Sequence, residues 1–133
     1  MLAEMIARLL PGTGVVAIRG ATTVDGPGPQ AIEDAVSELL AEVRRRNALR
    51  NSDVISALFT VTPDLVGLFP AEVARRAGWE EVPMLCATEI AVPGALARCV
   101  RVLLHVARSR NVPPRHVYLR DAARLRPDLT GTG

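Results

Sequence analysis

Apolar and polar residues alternate in several short segments of the chain, and this alternation predicts β-strands. The clearest case spans residues 98–108, where one face would be purely aliphatic and the opposite face would carry Arg101 and His105. A strand with this pattern buries one face and leaves the other open to a ligand or a partner. The same criterion predicts four further strands, over residues 15–19, 54–62, 82–90 and 116–119.

A different spacing, with apolar residues every three or four positions, predicts a long helix that ends at about Asn47. The turn-forming residues Gly26-Pro27-Gly28-Pro29 precede this helix. Three arginines at 44–46 suit its C-terminal end, where the helix dipole favours cations. The predicted apolar stripe consists of Ile32, Val36, Leu39, Leu40 and Val43.

Three shorter helices are also predicted. Thr62-Pro63-Asp64-Leu65 has the residues of a helix start, with Thr as the N-cap and Pro in the first turn. Phe69-Pro70 opens another helix, which runs to Ala77 and is stopped by Gly78. An apolar stripe within the first ten residues predicts a further helix in an N-terminal extension, residues 1–14.

Strands mixed with a few helices indicate one α+β domain over residues 15–133, with a mixed sheet packed against one long helix and short helices. The aromatic content of 3 % and the net charge of +2 give little support to nucleic-acid binding. No apolar run is long enough to cross a membrane, so no membrane partner is expected. Cys86 and Cys99 have neither metal-ligand nor disulfide spacing, and two reduced thiols in a cytoplasmic protein are expected.

Five side chains that could take part in binding or catalysis lie in or beside the predicted strands. Two guanidiniums, one carboxylate, one thiol and one phenol are contributed by Arg19, Arg101, Glu89, Cys86 and Tyr118. Such a set is typical of a pocket for a small molecule with several negative charges. A carboxylate in a strand between alanines needs a partner if it is buried, and Arg19 or Arg101 would serve Glu89.

The segments Ile-Arg-Gly-Ala-Thr-Thr-Val, Thr-Pro-Asp-Leu, Phe-Pro-Ala, Gly-Trp, Val-Pro, Arg-His-Val-Tyr-Leu and Leu-Arg-Pro-Asp-Leu occur in this order between residues 16 and 129. In sequence and spacing they resemble the Bacillus-type chorismate mutases, which are monofunctional, trimeric and of mixed α/β structure. The resemblance implies a trimeric pseudo-α/β-barrel with three active sites between subunits. It further implies conversion of chorismate to prephenate in the cytoplasm, on the route to phenylalanine and tyrosine, with no cofactor and no metal.

The resemblance also implies roles for individual side chains. Arg101 corresponds to the arginine that faces the breaking ether bond, and Glu89 to the carboxylate near the ring hydroxyl. Arg19 and Tyr118 correspond to the pair that grips a substrate carboxylate, and Cys86 to a thiol beside the ring hydroxyl. Further substrate-binding positions are Phe69, Ala71, Glu72, Arg75, Met84, Leu85, Leu125 and Arg126.

Two features of the sequence bear on this assignment. Glu72 stands where relatives often carry a basic residue, and its negative charge should weaken the binding of a dianion. Cys86 and Glu89 are three positions apart, so on a regular strand they point to opposite faces. A site formed between two subunits would resolve this, because each chain would contribute one of the two residues.

Two alternatives remain open at this point. One is a non-catalytic small-anion-binding protein descended from such a mutase, which Glu72 and the N-terminal extension would suit. The other is an imine or enamine hydrolase on a similar trimeric fold, although that group lacks the Arg-His-Val-Tyr-Leu and Leu-Arg-Pro-Asp-Leu segments.

Overall fold

The structure, a computed structural model, describes residues 13–128, which contain one five-stranded mixed sheet. The strand order in space is β3-β2-β4-β1-β5. The central strand β4 is antiparallel to both of its neighbours, whereas β3 is parallel to β2 and β5 is parallel to β1. The strands are β1 (Thr13–Thr23), β2 (Val54–Val61), β3 (Met84–Thr88), β4 (Cys99–Ser109) and β5 (Val117–Tyr118).

Helix α1 (Pro29–Asn47) covers one face of this sheet, and the short helix α2 (Pro70–Arg76) lies between β2 and β3 in the chain. The start of α1 follows from extended backbone at Gly28 and from a proline in the first turn, where its missing N–H costs nothing. The helix ends at Asn47, and Ala48, which follows it, adopts the left-handed conformation typical of a helix C-terminus. Two 3-10 helices, Asn51–Asp53 and Arg120–Leu125, complete the described elements.

The hydrophobic core lies between α1 and the face of the sheet that it covers. Leu39, Leu40 and Val43 of the helix are fully buried, and so are Ile18 and Leu104 of the sheet. Burying each aliphatic side chain of this kind contributes about 1.5–3 kcal/mol relative to exposure. The aliphatic face predicted for β4 therefore forms the centre of the core.

Gly20 lets the helix approach the sheet closely. A Cβ atom at this position would lie 3.1 Å from the Val102 side chain and 3.3 Å from the Leu39 side chain. Both distances are shorter than ordinary carbon contacts, so the Leu39 and Val102 side chains would have to shift by a few tenths of an ångström to admit a larger residue. Because Gly20 follows Arg19 directly, this close packing also fixes the strand that carries Arg19.

Within residues 13–128 no α-helix covers the opposite face of the sheet, which we call the open face; the 3-10 helix Arg120–Leu125 packs on one end of it, against Ala21 and Tyr118. Apolar side chains on the open face remain accessible: Val15 is 53 % exposed and Leu85 is 72 % exposed. Arg101, Leu103 and His105 of β4 are half-buried on this face. Arg19, Glu89, Arg101 and Tyr118 of the candidate site lie on this face.

The α+β architecture and all five predicted strands are confirmed, with shifted ends: β1 runs on to Thr23, and β3 is limited to Met84–Thr88. The predicted long helix is confirmed to within a few residues, and α2 is found where Phe69-Pro70 and Gly78 predicted it. Neither 3-10 helix was predicted. The strand β1 already includes Thr13 and Gly14, whereas the helix predicted earlier in the extension lies outside the described residues.

The helix predicted to start at Thr62 is wrong, because residues 62–65 form a turn closed by a hydrogen bond from the Leu65 N–H to the Thr62 carbonyl. The side chains that resembled a helix cap bind a distant segment instead. The Thr62 hydroxyl oxygen accepts a hydrogen bond from the Cys99 N–H over 2.9 Å. Asp64 accepts one from the Arg98 N–H, also over 2.9 Å.

Candidate active site

Arg101, Glu89 and Thr60 form a contact network on the open face. Arg101 lies at mid-sheet, with Thr60 of β2 and Ala21 of β1 as its register partners. Glu89 follows the end of β3, and its N–H donates to the Val61 carbonyl, which extends the pairing by one residue. Nε of Arg101 lies 3.0 Å from Oε2 of Glu89, and the Thr60 hydroxyl donates to the same oxygen over 2.6 Å.

The contact between Arg101 and Glu89 is an ion pair without an aligned hydrogen bond. Nε of Arg101 is buried and has no hydrogen-bond partner within residues 13–128, although the carboxylate oxygen is close. The Arg101 side chain is 38 % exposed, which leaves part of the guanidinium accessible. Arg101 is the partner for Glu89 that the sequence predicted as one of two candidates.

Arg19 and Tyr118 lie beside Arg101 on the open face. With Arg101 they line a cleft of about 210 Å³, which we call the arginine cleft and which Ala21, Thr60 and Leu103 also line. Tyr118 is 7 % exposed, and its hydroxyl is buried without a hydrogen-bond partner in the described part of the chain. A buried hydroxyl without a partner costs about 1–3 kcal/mol, so a polar ligand in the cleft would be stabilising.

His116 holds β5 against β1 next to this cleft. The Arg19 N–H donates to Nδ1 of His116 over 3.0 Å, so this nitrogen must be unprotonated. Burial lowers the pKa of His116, and the nearby charges of Arg19 and Arg126 lower it further. Asn47 fixes the preceding residue, because its side chain both donates to the Arg115 carbonyl and accepts from the Arg115 N–H.

Cys86 lies on the other side of β3 from Glu89, as their spacing predicted. It lines a separate cleft of about 550 Å³, which we call the thiol cleft. The thiol cleft lies between the end of β3 and the segment that leads into α2, where Leu65, Leu68, Phe69 and Glu72 line it. A single chain therefore does not bring Cys86 together with the arginine cleft.

The comparisons with known proteins decide the family. The family model described as chorismate mutase type I matches residues 15–129. The chain belongs to the chorismate mutase type I family. The chorismate mutase AroH of Thermus thermophilus is 48 % identical over 114 residues, which are 84 % of this chain and 93 % of the relative. AroH of Bacillus subtilis strain 168 is 40 % identical over 119 residues, covering 86 % and 92 %.

A solved structure supports the same fold. A chorismate mutase from Clostridium thermocellum superimposes with a TM-score of 0.76 at 42 % identity, over 82 % of this chain and 98 % of the other. The resemblance found in the sequence is therefore confirmed, and the mixed sheet with its few helices is the fold of this type I family.

The remaining positions implied by the type I resemblance fall into two groups. The first lies on or near the thiol cleft: Ala71 is buried in α2, Arg75 is exposed on the same helix, and Met84 is half-buried against the core. Leu85 projects from the open face instead, and it is 72 % exposed. Glu72 pairs with Arg76 over 3.1 Å, and Arg76 also contacts Glu33 over 2.9 Å.

The second group, Leu125 and Arg126, lies on the side of the arginine cleft. Leu125 packs against a small apolar cluster that includes Tyr118 and Ala21. Arg126 pairs with Asp128 over 2.9 Å, and this neighbouring guanidinium lowers the pKa of Asp128. The structure thus brings the C-terminal segment to Tyr118.

Thr60 is the contact residue that the sequence did not reveal. The available signal was a hydroxyl among apolar residues in the strand 54–62, but its partner Glu89 is distant in the chain.

Within residues 13–128 no group of three acidic, cysteine or histidine side chains could hold a metal ion. No described helix is both long and apolar enough to span a bilayer.

Proposed function

We propose that this protein catalyses the conversion of chorismate to prephenate, an intramolecular [3,3] rearrangement. The observation that carries the proposal is the arginine cleft, a small cavity lined by Arg19, Arg101 and Tyr118, whose buried hydroxyl has no hydrogen-bond partner within residues 13–128. That chemistry suits a compact dicarboxylate. The type I family membership, which covers nearly all described residues, supports the same reaction.

The reaction moves no proton and needs no covalent intermediate, so the protein has two tasks. It must hold a flexible dianion folded, with its reacting ends close together. It must also stabilise the negative charge that grows on the ether oxygen as the C–O bond breaks. Fixed cations in a partly buried cleft meet both requirements, and general acid–base catalysis is not required.

We take the roles of the residues in and beside the arginine cleft from the resemblance to the type I mutases. In this assignment Arg101 faces the ether oxygen; its permanent charge suits the negative charge that develops there, and its Nε lies 3.0 Å from Glu89. Arg19 and Tyr118 bind a substrate carboxylate, which would supply the missing partner of the Tyr118 hydroxyl. Glu89 meets the ring hydroxyl and the ring, where positive charge develops.

The thiol cleft completes the site from a neighbouring subunit in a homotrimer with three interfacial sites. Cys86 and Glu89 lie on opposite sides of β3, so within one chain they cannot meet the same substrate. The exposed apolar residues of the open face, Val15 and Leu85 among them, provide a surface for this assembly. Phe69, Ala71, Glu72 and Arg75 of one subunit would then border the arginine cleft of the next.

The charge of Glu72 does not favour a purely binding protein. Its pairing with Arg76 compensates the negative charge at the edge of the thiol cleft.

Both cysteines of the chain are free thiols, which agrees with a reducing compartment. We propose that the protein is cytoplasmic and acts on the route to phenylalanine and tyrosine.

The test is the loss of chorismate absorbance with time, measured for the wild type, Arg101→Ala and Arg45→Ala. Arg45 is a matched control, because it is an exposed arginine on α1, paired only locally with Glu42. Arg101→Ala should reduce kcat by on the order of 10²–10³, the usual effect of removing a preorganised donor at a developing charge. A folded wild type that leaves chorismate unchanged would refute the proposed reaction.

A further inference from the structure

Both contacts to the Glu89 carboxylate fall on the same oxygen atom. The Thr60 hydroxyl donates to Oε2 over 2.6 Å, and Nε of Arg101 lies 3.0 Å from it. Within the described part of the chain, Oε1 of Glu89 takes part in no hydrogen bond and is left for a ligand. The protein thus holds the carboxylate through Oε2, and Oε1 remains available to a ligand.

Thr60 is well placed to impose this orientation. It lies on β2 directly opposite Arg101, with the strand pairing fixing the distance between the two backbones. A β-branched side chain in a strand has few rotamers, so the position of its hydroxyl is well defined. Glu89, by contrast, follows the end of β3 and has a long side chain with several rotamers, so its carboxylate is not fixed by the backbone alone.

The Thr60 contact also affects what Arg101 can offer. Arg101 meets Glu89 through Nε, without an aligned hydrogen bond, so its two terminal nitrogens are not needed to hold the carboxylate. If the Thr60 hydroxyl were absent, Glu89 would be free to turn and form a forked pair with those nitrogens, as carboxylates and guanidiniums commonly do. That pairing would occupy the donors that the reaction requires.

We propose that Thr60 is a positioning residue, which fixes the Glu89 carboxylate so that Oε1 and the terminal nitrogens of Arg101 both face the substrate. Thr60 acts through Glu89 and does not itself touch the reacting atoms. This inference rests on the proposed mutase reaction and on the role assigned there to Glu89.

The experiment compares Thr60→Val, which keeps the shape and removes the hydroxyl, with Thr60→Ser, which keeps the hydroxyl. The matched control is Ser56→Ala, because Ser56 lies on the same strand and its hydroxyl contacts His105 rather than Glu89. Circular dichroism and sedimentation establish that each variant is folded and assembled like the wild type. Rates are measured as kcat and KM for chorismate, in the wild-type background and in Glu89→Ala.

In Thr60→Val we expect kcat to fall roughly 10- to 100-fold, the range for losing a hydrogen bond to a charged group, with a smaller change in KM. Thr60→Ser should recover most of the rate, and Ser56→Ala should stay within about two-fold of the wild type. In the Glu89→Ala background the Thr60→Val change should cost less than about two-fold, because the group that it positions is gone.

Two results overturn the inference while leaving the mutase reaction intact. One is an active wild type in which Thr60→Val changes kcat less than about two-fold. The other is an equal loss from Thr60→Val with and without Glu89, which would identify ordinary packing as the cause. A folded wild type without chorismate turnover refutes the proposed reaction, and the inference falls with it.

Discussion

Arg19 and His116 are joined by a hydrogen bond in which the main chain of a cleft-lining strand donates to an imidazole nitrogen, over 3.0 Å. The bond links β1 to the short strand that carries Tyr118. It requires an unprotonated Nδ1, and the lowered pKa of His116 favours that state. The arrangement of the cleft therefore depends on the protonation of one side chain that does not line it.

This relationship predicts a loss of stability in acid. The folded pKa of His116 lies below its unfolded value of about 6.5, so the neutral ring stabilises the fold above pH 6.5. That contribution is lost as the pH falls below 6.5 through the lowered pKa, since the unfolded chain then binds the proton more readily. Thermal unfolding between pH 8 and pH 5 should show the melting temperature decreasing over this window.

His116→Asn tests the cause, because asparagine offers a similar acceptor and does not titrate. The decrease in melting temperature should be smaller in this variant. His105→Asn, which removes the other imidazole of the chain, is the control and should retain the full decrease. If the decrease is abolished only in His105→Asn, the effect comes from His105 and the prediction for His116 is wrong.

The secondary structure could be predicted largely from sequence because its signals are local. Alternation and helical spacing located all five strands and both α-helices, since each face is either buried by α1 or left open. The error at Thr62 has a physical reason. A hydroxyl and a carboxylate two residues apart can cap a helix, but here they accept N–H groups of Arg98 and Cys99, which the sequence does not bring near.

The candidate site was predictable in part for the same reason. The opposite orientation of Cys86 and Glu89 follows from the period of a strand, and the need of Glu89 for a cationic partner follows from its surroundings. Thr60 could not be found in this way. Its contact with Glu89 depends on the parallel pairing of β2 with β3, a relationship between distant segments that no local pattern encodes.

The Glu72–Arg76 ion pair predicts how charge at the edge of the thiol cleft affects affinity. Arg76→Ala should raise KM for chorismate by about two- to five-fold, the effect of one exposed charge pair, because Glu72 would then repel the dianion. Glu72→Gln should lower KM by a similar factor. Steady-state kinetics would show this, with kcat little changed in both variants.

The double variant separates this explanation from a loss of helix stability. With Glu72 already neutral, Arg76→Ala should have no further effect on KM. If Arg76→Ala raises KM equally in both backgrounds, Arg76 acts independently of Glu72, for instance through its contact with Glu33.

If the subunits assemble through the open face, a charge buried there should prevent assembly. Ala17 is exposed on this face in the single chain, so Ala17→Asp removes no packing within one subunit. In a trimer built on this face, the unpaired carboxylate would cost several kcal/mol at each contact. Sedimentation should show smaller species, and mutase activity should fall with them.

Ala41→Asp is the matched control, because Ala41 is exposed on the solvent side of α1. This variant should remain assembled and active. An Ala17→Asp protein with the size and activity of the wild type would exclude the open face as the subunit interface.

If the sites form between subunits, as proposed, two inactive variants should complement each other. Arg101→Ala removes a residue of the arginine cleft, and Arg75→Asp reverses a charge on α2, on the side of the thiol cleft. If each site takes Arg101 from one subunit and Arg75 from its neighbour, a mixed trimer contains some sites with both residues intact. Each mixed trimer, whether two-to-one or one-to-two, should contain about one intact site in three, since only one of its three neighbour pairs has both subunits of the right type.

Co-expression of the two variants with different affinity tags, followed by purification through both tags, yields the mixed trimers. Their activity should clearly exceed that of either variant alone. A mixture of the two separately purified proteins, assayed before subunits exchange, is the control and should remain inactive. Mixed trimers that are as inactive as their parents would mean that one subunit supplies both residues, and the opposite orientations of Cys86 and Glu89 would then need a different explanation.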